Sequence, residues 1–254
     1  MKPDLPVDAA SVDVAVPEPG RGDRDNTVNV REEVHAFASF IWKFALLVIL
    51  IRSFAISSFN IPSESMQPRL LIGDYLIVNK AAYGYSRYSL PFNLPFIPHR
   101  LFARTPERGD VVVFKAPPGN DLDYIKRVVG LPGDHIQVVD GTVYINGKPI
   151  TRRRIADLVI PASPNMVEAS FGNPCFRPEF ERVDGHGALN CEYPRYVETL
   201  PNGKRYAVLD LALTDADTTG VYEVPAGQLF LMGDNRDRSF DSRFPAVEGA
   251  GIGI

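Results

Sequence analysis

The sequence predicts a mainly β protein, in which an antiparallel β core carries a smaller inserted β-rich domain and follows one N-terminal transmembrane helix. Three observations predict this class. One apolar stretch, at residues 36–59, is long enough to cross a bilayer. Beyond it, short apolar runs alternate with turn-forming residues, among the 20 glycines and 22 prolines of the 254 residues. No helical repeat or heptad follows the apolar stretch, so antiparallel strands are the consistent choice.

A disordered acidic tail is predicted over residues 1–34. The first 33 residues carry eight acidic and four basic side chains with few large apolar ones, which is typical of disorder. This excess of four acids equals the formal net charge of −4 of the whole chain, so the remainder is balanced. Because the rest of the chain has no excess of basic residues, we expect no nucleic-acid partner.

The apolar stretch predicts a transmembrane anchor over residues 35–58. A span needs about 20 mostly apolar residues, and a charge at its centre costs roughly 2.5–3.5 kcal/mol. Lys43 and Arg52 interrupt the stretch toward its two ends, where long side chains can reach the interface. The alternative is a buried or interfacial helix. A cleavable signal peptide fits poorly, because the stretch starts far from the N-terminus and no convincing small-residue cleavage site follows.

Two strands are predicted after the anchor, at residues 74–79 and 110–115, where apolar and β-branched residues form short runs. Between them, residues 85–102 are rich in Pro and aromatic residues and have neither a helical nor a strand period. Beside an anchor, this loop either rests in the headgroup layer, where aromatic residues are favoured, or folds onto the sheet. The residues leave both placements open.

Two hairpins are the clearest later elements. Asp140-Gly141 and Asn146-Gly147 are two-residue turn signals between the β-rich runs of residues 136–148. Asn202-Gly203 marks the second hairpin, and a last strand is predicted at residues 228–232.

The chain after the anchor is therefore predicted to divide into a core at residues 59–148 and 222–254 and a β-rich insertion at residues 149–221. The insertion contains Cys175 and Cys191, which have no CxxC neighbour or companion histidine at metal spacing, so a zinc site is not indicated. Outside the cytoplasm the two could form a disulfide, and two free buried thiols are the alternative.

The chemistry is predicted from one serine and one lysine. Ser65 follows a rigid proline turn, and Lys126 lies in a short apolar run. A serine hydroxyl is a poor nucleophile until a base takes its proton, and a neutral lysine can be that base. Burial lowers a lysine pKa from about 10.4, and two units of lowering need roughly 2.7 kcal/mol. Asp123 must then point away, because a close carboxylate would raise that pKa.

Acyl transfer also needs donors for the developing oxyanion. The backbone N–H of Ser65 and the hydroxyl of Ser63 are the candidates, and Glu64 between them is expected to face solvent. The alternative is a turn capped by serines and an ordinary exposed lysine. The four histidines are scattered, and GxSxG, GxxxxGK[ST] and HExxH patterns are absent from the sequence. We therefore expect no cofactor and no metal.

Four motifs occur in an order that resembles bacterial type I signal peptidases, the leader peptidases that cut signal sequences from exported proteins. The motifs are Ile61–Leu70 around Ser65, Arg108–Lys115, Tyr124–Asp134 around Lys126, and Gly233–Arg243. The resemblance implies an all-β catalytic core that bears an inserted second β domain.

The resemblance also implies roles for particular residues. Ser65 would be the nucleophile and Lys126 the general base, with Ser239 hydrogen-bonded to the lysine. Arg127, Asp241 and Arg243 would form one supporting ion-pair network. Shallow pockets for small substrate residues at positions −1 and −3 would be lined by Ile61, Pro62, Met66, Leu70, Tyr124 and Ile125.

The implied protein is a membrane-anchored serine endopeptidase. Its partners would be the signal peptides of exported preproteins and the phospholipid bilayer. It would cross the bacterial plasma membrane once, with its catalytic domain on the outer, periplasmic side. Two alternatives are a specialised maturation protease of the same family and an inactive membrane-anchored module that binds peptides.

Three features depart from the family's usual pattern. Arg69 stands where the family often has a threonine, and one anchor replaces the two of some members. The Gly-rich end at residues 246–254 stops where the family usually continues with another strand. This last departure bears on stability more than on the identity of the motifs.

Overall fold

The computed structural model describes residues 30–89, 99–119, 121–169, 172–247 and 250–254. They form helix α1 (Val30–Phe54), a short helix α2 (Pro164–Ala169) and a series of short strands. The strands are β1 (Ile56–Asn60), β2 (Tyr75–Asn79), β3 (Val111–Lys115), β4 (Asp123–Gly130), β5 (His135–Val139), β6 (Thr142–Ile145), β7 (Lys148–Pro149), β8 (Thr151–Pro161), β9 (Glu181–Val183), β10 (Leu189–Thr199), β11 (Arg205–Leu209), β12 (Tyr222–Glu223) and β13 (Phe230–Met232). Each pairing between them is antiparallel, which confirms the predicted mainly β class behind one N-terminal apolar helix.

Helix α1 has the length and composition of a membrane span. Its 25 residues extend about 37 Å at ~1.5 Å per residue, which exceeds the hydrocarbon thickness of about 30 Å. Its apolar side chains are exposed along its length, and Trp42 keeps 70% of its surface. By length and composition alone, it is the candidate span among the residues that the structure describes.

The bounds of α1 differ from the predicted anchor at both ends. The helix begins at Val30 instead of residue 35, so residues 30–34 of the predicted tail are helical. It ends at Phe54 instead of residue 58, because Ile56 and the residues after it pair with β2. Residues 1–29 of the predicted tail lie outside the described residues.

The predicted hairpins are confirmed. Strands β5 and β6 pair with Ile136 opposite Ile145, and Asp140 and Asn146 adopt positive φ angles of 47° and 52°. Positive φ at both central residues defines the tight turn that matches strand twist, and Asp-Gly and Asn-Gly supply it at low cost. The second hairpin joins β10 to β11 around Gly203, whose φ is 83°.

The largest hydrophobic cluster joins both parts of the predicted core with the insertion. It combines side chains from β4, β5, β6, β11 and β13 with residues that flank them: Val129, Ile136, Val138, Val143, Ile145, Ile150, Leu200, Tyr206, Val208, Val224, Phe230 and Met232. The division into a core and an insertion at residues 149–221 remains a prediction, because the hairpin β10–β11 buries its apolar face in this shared cluster.

A second cluster lies within the long sheet β8–β11. The two cysteines are joined in a disulfide, with their Cα atoms 5.6 Å apart, and Cys191 belongs to β10. Around them pack Ile160, Tyr193 and Leu209. Of the two cysteine states that the sequence left open, the structure therefore has the disulfide.

A three-stranded sheet has the order β13-β4-β3, so β4 has a neighbour on both sides. Five of its eight residues, from Lys126 to Gly130, are buried. A central strand carries Lys126 into the protein interior.

The predicted aromatic loop, residues 85–102, has a bridge between Tyr85 and Leu101. Its residues 90–98 lie outside the described residues.

Candidate active site

Ser65 lies on a loop that follows β1 and is held by backbone hydrogen bonds. The N–H of Ile61 donates to the carbonyl of Asp74 at 2.9 Å, and the N–H of Gly73 donates back to Ile61 at 2.9 Å. Ile61 and Met66 are 3% and 0% exposed, so buried apolar side chains lie on both sides of the serine. These contacts hold the turn that begins at Pro62 in one conformation.

Lys126 reaches this loop from the middle of β4. Its amine nitrogen Nζ lies 2.9 Å from the hydroxyl oxygen Oγ of Ser65, within hydrogen-bond distance. Both residues are buried, at 4% and 5% exposure. The structure therefore brings together the two residues, 61 positions apart, that the sequence singled out. We call this pair the dyad.

The surroundings of Lys126 favour its neutral form. Burial lowers the pKa of Lys126 to about 8, while the carboxylates of Asp241 and Asp234 oppose part of this shift. The ring of Tyr124, two residues earlier on the same strand face, has its centroid 5.3 Å from the amine and also favours the charged form, so burial is the main cause of the lowering. Asp123 points to Lys115, with a 3.1 Å ion pair, as the sequence required. A useful fraction of the amine is therefore unprotonated near neutral pH.

Ser63, the predicted second oxyanion donor, lies beside Ser65. Its hydroxyl oxygen is 3.4 Å from that of Ser65, and the residue is exposed. An exposed rotatable hydroxyl beside Ser65 can turn toward a bound carbonyl group. The predicted position of Ser63 thus agrees with the donor role, which stays a prediction.

The predicted hydrogen bond between Ser239 and Lys126 is not formed. Ser239 is 5% exposed, and its hydroxyl has no hydrogen-bond partner among the described residues. The hydroxyl nevertheless lies close to the loop that carries Ser65. A Cβ atom built on Gly233 would lie 2.3 Å from the Ser239 hydroxyl and 2.6 Å from the Ser65 carbonyl oxygen. A buried hydroxyl without a partner is costly, and one rotation about its Cα–Cβ bond changes what it can contact.

The predicted single ion-pair network is two separate pairs. Arg127 is held by Asp234, at 2.7 and 2.5 Å, and not by Asp241. Asp241 instead binds Arg243 at 2.9 and 3.0 Å. Strand geometry contributes to this separation, because successive side chains of β4 point to opposite faces and Arg127 therefore leaves the strand on the other side from Lys126.

Two buried residues of this region were missed by the sequence analysis. Asp234 lies inside the last motif, and a buried arginine needs a carboxylate, so this signal was available. Glu198 on β10 is fully buried and binds Arg236 at 2.5 Å. No motif contains Glu198, and only the tertiary structure identifies its partner.

The expectation that Glu64 faces solvent is wrong. The residue is 5% exposed, and its carboxylate accepts a 2.6 Å hydrogen bond from the guanidinium of Arg238. A buried carboxylate needs such a partner, because an unpaired one loses its hydration without compensation.

A cleft of about 610 Å³ is lined by Leu70 and Ile125 but by neither residue of the dyad. It is lined by side chains of β1, β2 and β3 together with Arg69, Leu70 and Ile125. Of the predicted pocket residues, Leu70 and Ile125 therefore line an open cleft. Pro62 is exposed, whereas the others pack inward: Ile61 and Met66 are buried, and Tyr124 stacks edge-on against Phe114.

Carboxylates at potential metal-binding distance occur at one place in the described part of the chain. Single oxygens of Asp210, Asp217 and Asp237 lie within 4.8 Å of one another. Arg152 binds Asp210 at 2.5 Å, and the N–H of Leu211 donates to Asp237 at 2.5 Å. Asp210 and Asp237 therefore already have partners within the protein, and this cluster is separate from the dyad.

Gly233 is expected to be irreplaceable, since a Cβ atom there would collide with both Ser239 and the Ser65 carbonyl oxygen. Gly233→Ala should lower kcat/KM by about 10-fold or more, because sub-ångström displacement of reacting groups is costly. Gly220→Ala is the matched control, since a Cβ atom at Gly220 meets nothing within 4 Å. Equal activities of the two folded variants, verified by circular dichroism, would contradict this prediction.

Comparison with known proteins identifies the family of the chain. The chain matches the family described as signal peptidase, peptidase S26, over residues 34–252. Signal peptidase I of Rickettsia typhi is 38% identical over 229 residues, which cover 87% of this chain and 76% of the relative. Signal peptidase I of Rickettsia canadensis is 38% identical over 215 residues, which cover 80% and 71%. A signal peptidase I structure from Enterococcus faecalis is 25% identical, covers 58% of this chain and 97% of that chain, and has a TM-score of 0.27.

The matched span contains the complete β body and the four motifs. It begins within α1 and includes both residues of the dyad. The chain therefore belongs to the signal peptidase family, peptidase S26, and is a serine endopeptidase.

Proposed function

We propose that this protein is a membrane-anchored signal peptidase that cleaves exported preproteins after small residues at −1 and −3, by a Ser/Lys acyl-enzyme mechanism. One observation carries the proposal. The amine of Lys126 lies 2.9 Å from the hydroxyl of Ser65 in a buried site, with its pKa lowered to about 8 by burial. This is the geometry that a serine nucleophile and a lysine base require.

In the first half of the reaction, neutral Lys126 takes the hydroxyl proton of Ser65 as its oxygen attacks the scissile carbonyl carbon. The carbonyl oxygen becomes an oxyanion, which the Ser65 N–H and the Ser63 hydroxyl stabilise. The ammonium of Lys126 then donates its proton to the leaving amine of the mature protein. The signal peptide remains attached to Ser65 as an ester.

In the second half, Lys126 takes a proton from water, and the hydroxide attacks the ester carbonyl. A second oxyanion collapses, the bond to Ser65 breaks, and the protonated lysine returns a proton to the serine oxygen. Each step uses the lysine as an acid and a base in turn, which is why a pKa near the working pH is effective. No step requires a cofactor.

The cleft suggests how a signal peptide binds. An extended peptide can add to an exposed strand edge through backbone hydrogen bonds, with alternate side chains entering pockets. Leu70, five residues after Ser65, and Ile125, the residue before Lys126, line the cleft.

Two features support a single span with the catalytic body outside the cytoplasm. Helix α1 has the length and apolar composition of one span. The disulfide between Cys175 and Cys191 belongs to an oxidising compartment, since cytoplasmic thiols are kept reduced. We therefore propose the outer, periplasmic face of a bacterial plasma membrane.

Processing of preproteins by the purified full chain in liposomes tests this function. We expect cleavage of a preprotein with alanine at −1 and −3, and no cleavage by Ser65→Ala or after leucine replaces alanine at −1. A panel of unrelated signal sequences separates a general signal peptidase from a specialised maturation protease. Binding of signal peptides without cleavage by the wild type would instead indicate an inactive peptide-binding module.

The rate should rise with pH across the range in which Lys126 loses its proton. The base is active only when neutral, and its pKa is lowered to about 8, so kcat/KM should increase about 10-fold between pH 7 and pH 9. The profile of kcat/KM measures this pKa in the free enzyme. A limb near pH 6.5 would point to a histidine, and a limb near pH 10 to an exposed lysine.

A further inference from the structure

The residue before the nucleophile is tied to the residue before Ser239. Glu64 is 5% exposed, and the Arg238 guanidinium donates to its carboxylate at 2.6 Å across a separation of 174 residues. The dyad mechanism uses neither side chain. A buried carboxylate beside a nucleophile is costly to keep, which calls for a reason beyond packing.

The same two segments are joined a second time at the nucleophile itself. The N–H of Asn235 donates to the carbonyl oxygen of Ser65 at 3.1 Å. The peptide of Ser65 is thus held through its own carbonyl, and the preceding residue is held through its side chain. Two attachments on successive residues restrict rotation of the segment that carries the Ser65 hydroxyl.

Arg238 is itself supported from the β8–β11 sheet. Its guanidinium carbon lies 5.3 Å from the ring centroid of Phe176, and the N–H of Phe176 donates to the Tyr193 hydroxyl at 2.9 Å. Phe176 follows Cys175, whose disulfide joins it to Cys191 on β10. The arginine therefore packs against a ring that a covalent bond and a hydrogen bond hold in place.

We propose that Glu64 and Arg238 are a positioning pair that keeps the Ser65 hydroxyl directed at the Lys126 amine. This inference rests on the proposed function, since it concerns the same dyad. Neither residue touches the substrate in this role, so their loss affects turnover and leaves binding in the cleft unchanged. A displacement of about 1 Å at the reacting atoms lowers turnover by up to about 10²-fold.

A double-mutant cycle on the full chain in liposomes tests the pair. Glu64→Gln and Arg238→Gln should each lower kcat by about 10-fold or more with KM changed less than about twofold. The double variant should lose no more than either single variant, because residues that act as one unit are not additive. Arg238→Lys keeps the ion pair and should retain most of the wild-type kcat.

Glu107→Gln is the matched control. Its carboxylate also forms an ion pair, with Lys204 at 2.9 Å, but the Glu107 side chain is 75% exposed. We expect wild-type kinetics for this variant. Multiplying effects in the cycle, or losses that appear in KM instead of kcat, would overturn the proposal.

A spectroscopic readout separates this proposal from the proposed function. In protein labelled with ¹³C at lysine Cε, the Lys126 signal is the one absent from Lys126→Met. Its chemical shift should change in Glu64→Gln and be retained in Arg238→Lys. If the wild type cleaves no preprotein, the function fails and this shift still tests the pair. If the wild type cleaves but the signal and kcat of Glu64→Gln are unchanged, only the positioning proposal fails.

Discussion

Lys126→Met is expected to lower kcat/KM for preprotein cleavage by about 10²- to 10⁴-fold while it makes the fold more stable. The loss of rate is the usual contribution of a positioned general base. The gain in stability follows from burial, because the amine is 4% exposed and burial lowers its pKa to about 8. Methionine has a similar length and no charge to desolvate.

These opposite effects make the experiment decisive. Cleavage rates and thermal melting of the same preparation give both quantities, and a variant that had merely unfolded would lose both. Lys148→Met is the matched control, since Lys148 is exposed and lies outside the site. A Lys126→Met enzyme with more than a tenth of wild-type activity would remove the lysine from the mechanism.

Asp234→Ala is expected to destabilise the protein by about 3–5 kcal/mol, since it leaves a buried arginine without its carboxylate. The side chains of Arg127 and Asp234 are 5% and 1% exposed. Arg127 also stacks 4.2 Å from the Tyr206 ring centroid and cannot turn to solvent without breaking that contact. A loss of this size is a large fraction of a typical stability of roughly 5–15 kcal/mol.

Guanidinium unfolding of the detergent-solubilised chain, followed by circular dichroism, measures this loss. Glu192→Ala is the control, because Glu192 forms an ion pair with Arg182 at the surface and its side chain is 36% exposed. Its loss should cost under about 1 kcal/mol. Replacing both Arg127 and Asp234 by apolar residues should recover much of the stability, because no unpaired buried charge remains. Equal losses for Asp234→Ala and Glu192→Ala would refute this account.

The elements that were predicted correctly depend on neighbours in the chain. The Asp140-Gly141 and Asn146-Gly147 turns need only residues that adopt positive φ. The apolar helix was recognised by composition, although it ends four residues before the predicted bound because Ile56 pairs with β2. The dyad was predicted because its two motifs are each local and recognisable.

The errors concern partners far apart in the chain. Glu64 was expected in solvent, but Arg238, 174 residues later, binds it in the interior. Arg127 was paired with Asp241, although the alternation of β4 turns it to Asp234. Ser239 is buried beside the site without the hydrogen bond that was assigned to it. The disulfide was left open because pairing depends on the distance between two Cα atoms.

The sequence by itself determined the β class, the apolar helix, the two main hairpins and the identity of the serine and the lysine. Turn conformation, strand alternation and helix length follow from residues that are neighbours in the chain. Only the tertiary structure decided that the two side chains meet at 2.9 Å. It also decided which carboxylate pairs with each buried arginine and how far the amine is buried from water. Burial and ion pairing depend on which distant segments pack together, and packing is a property of the whole fold.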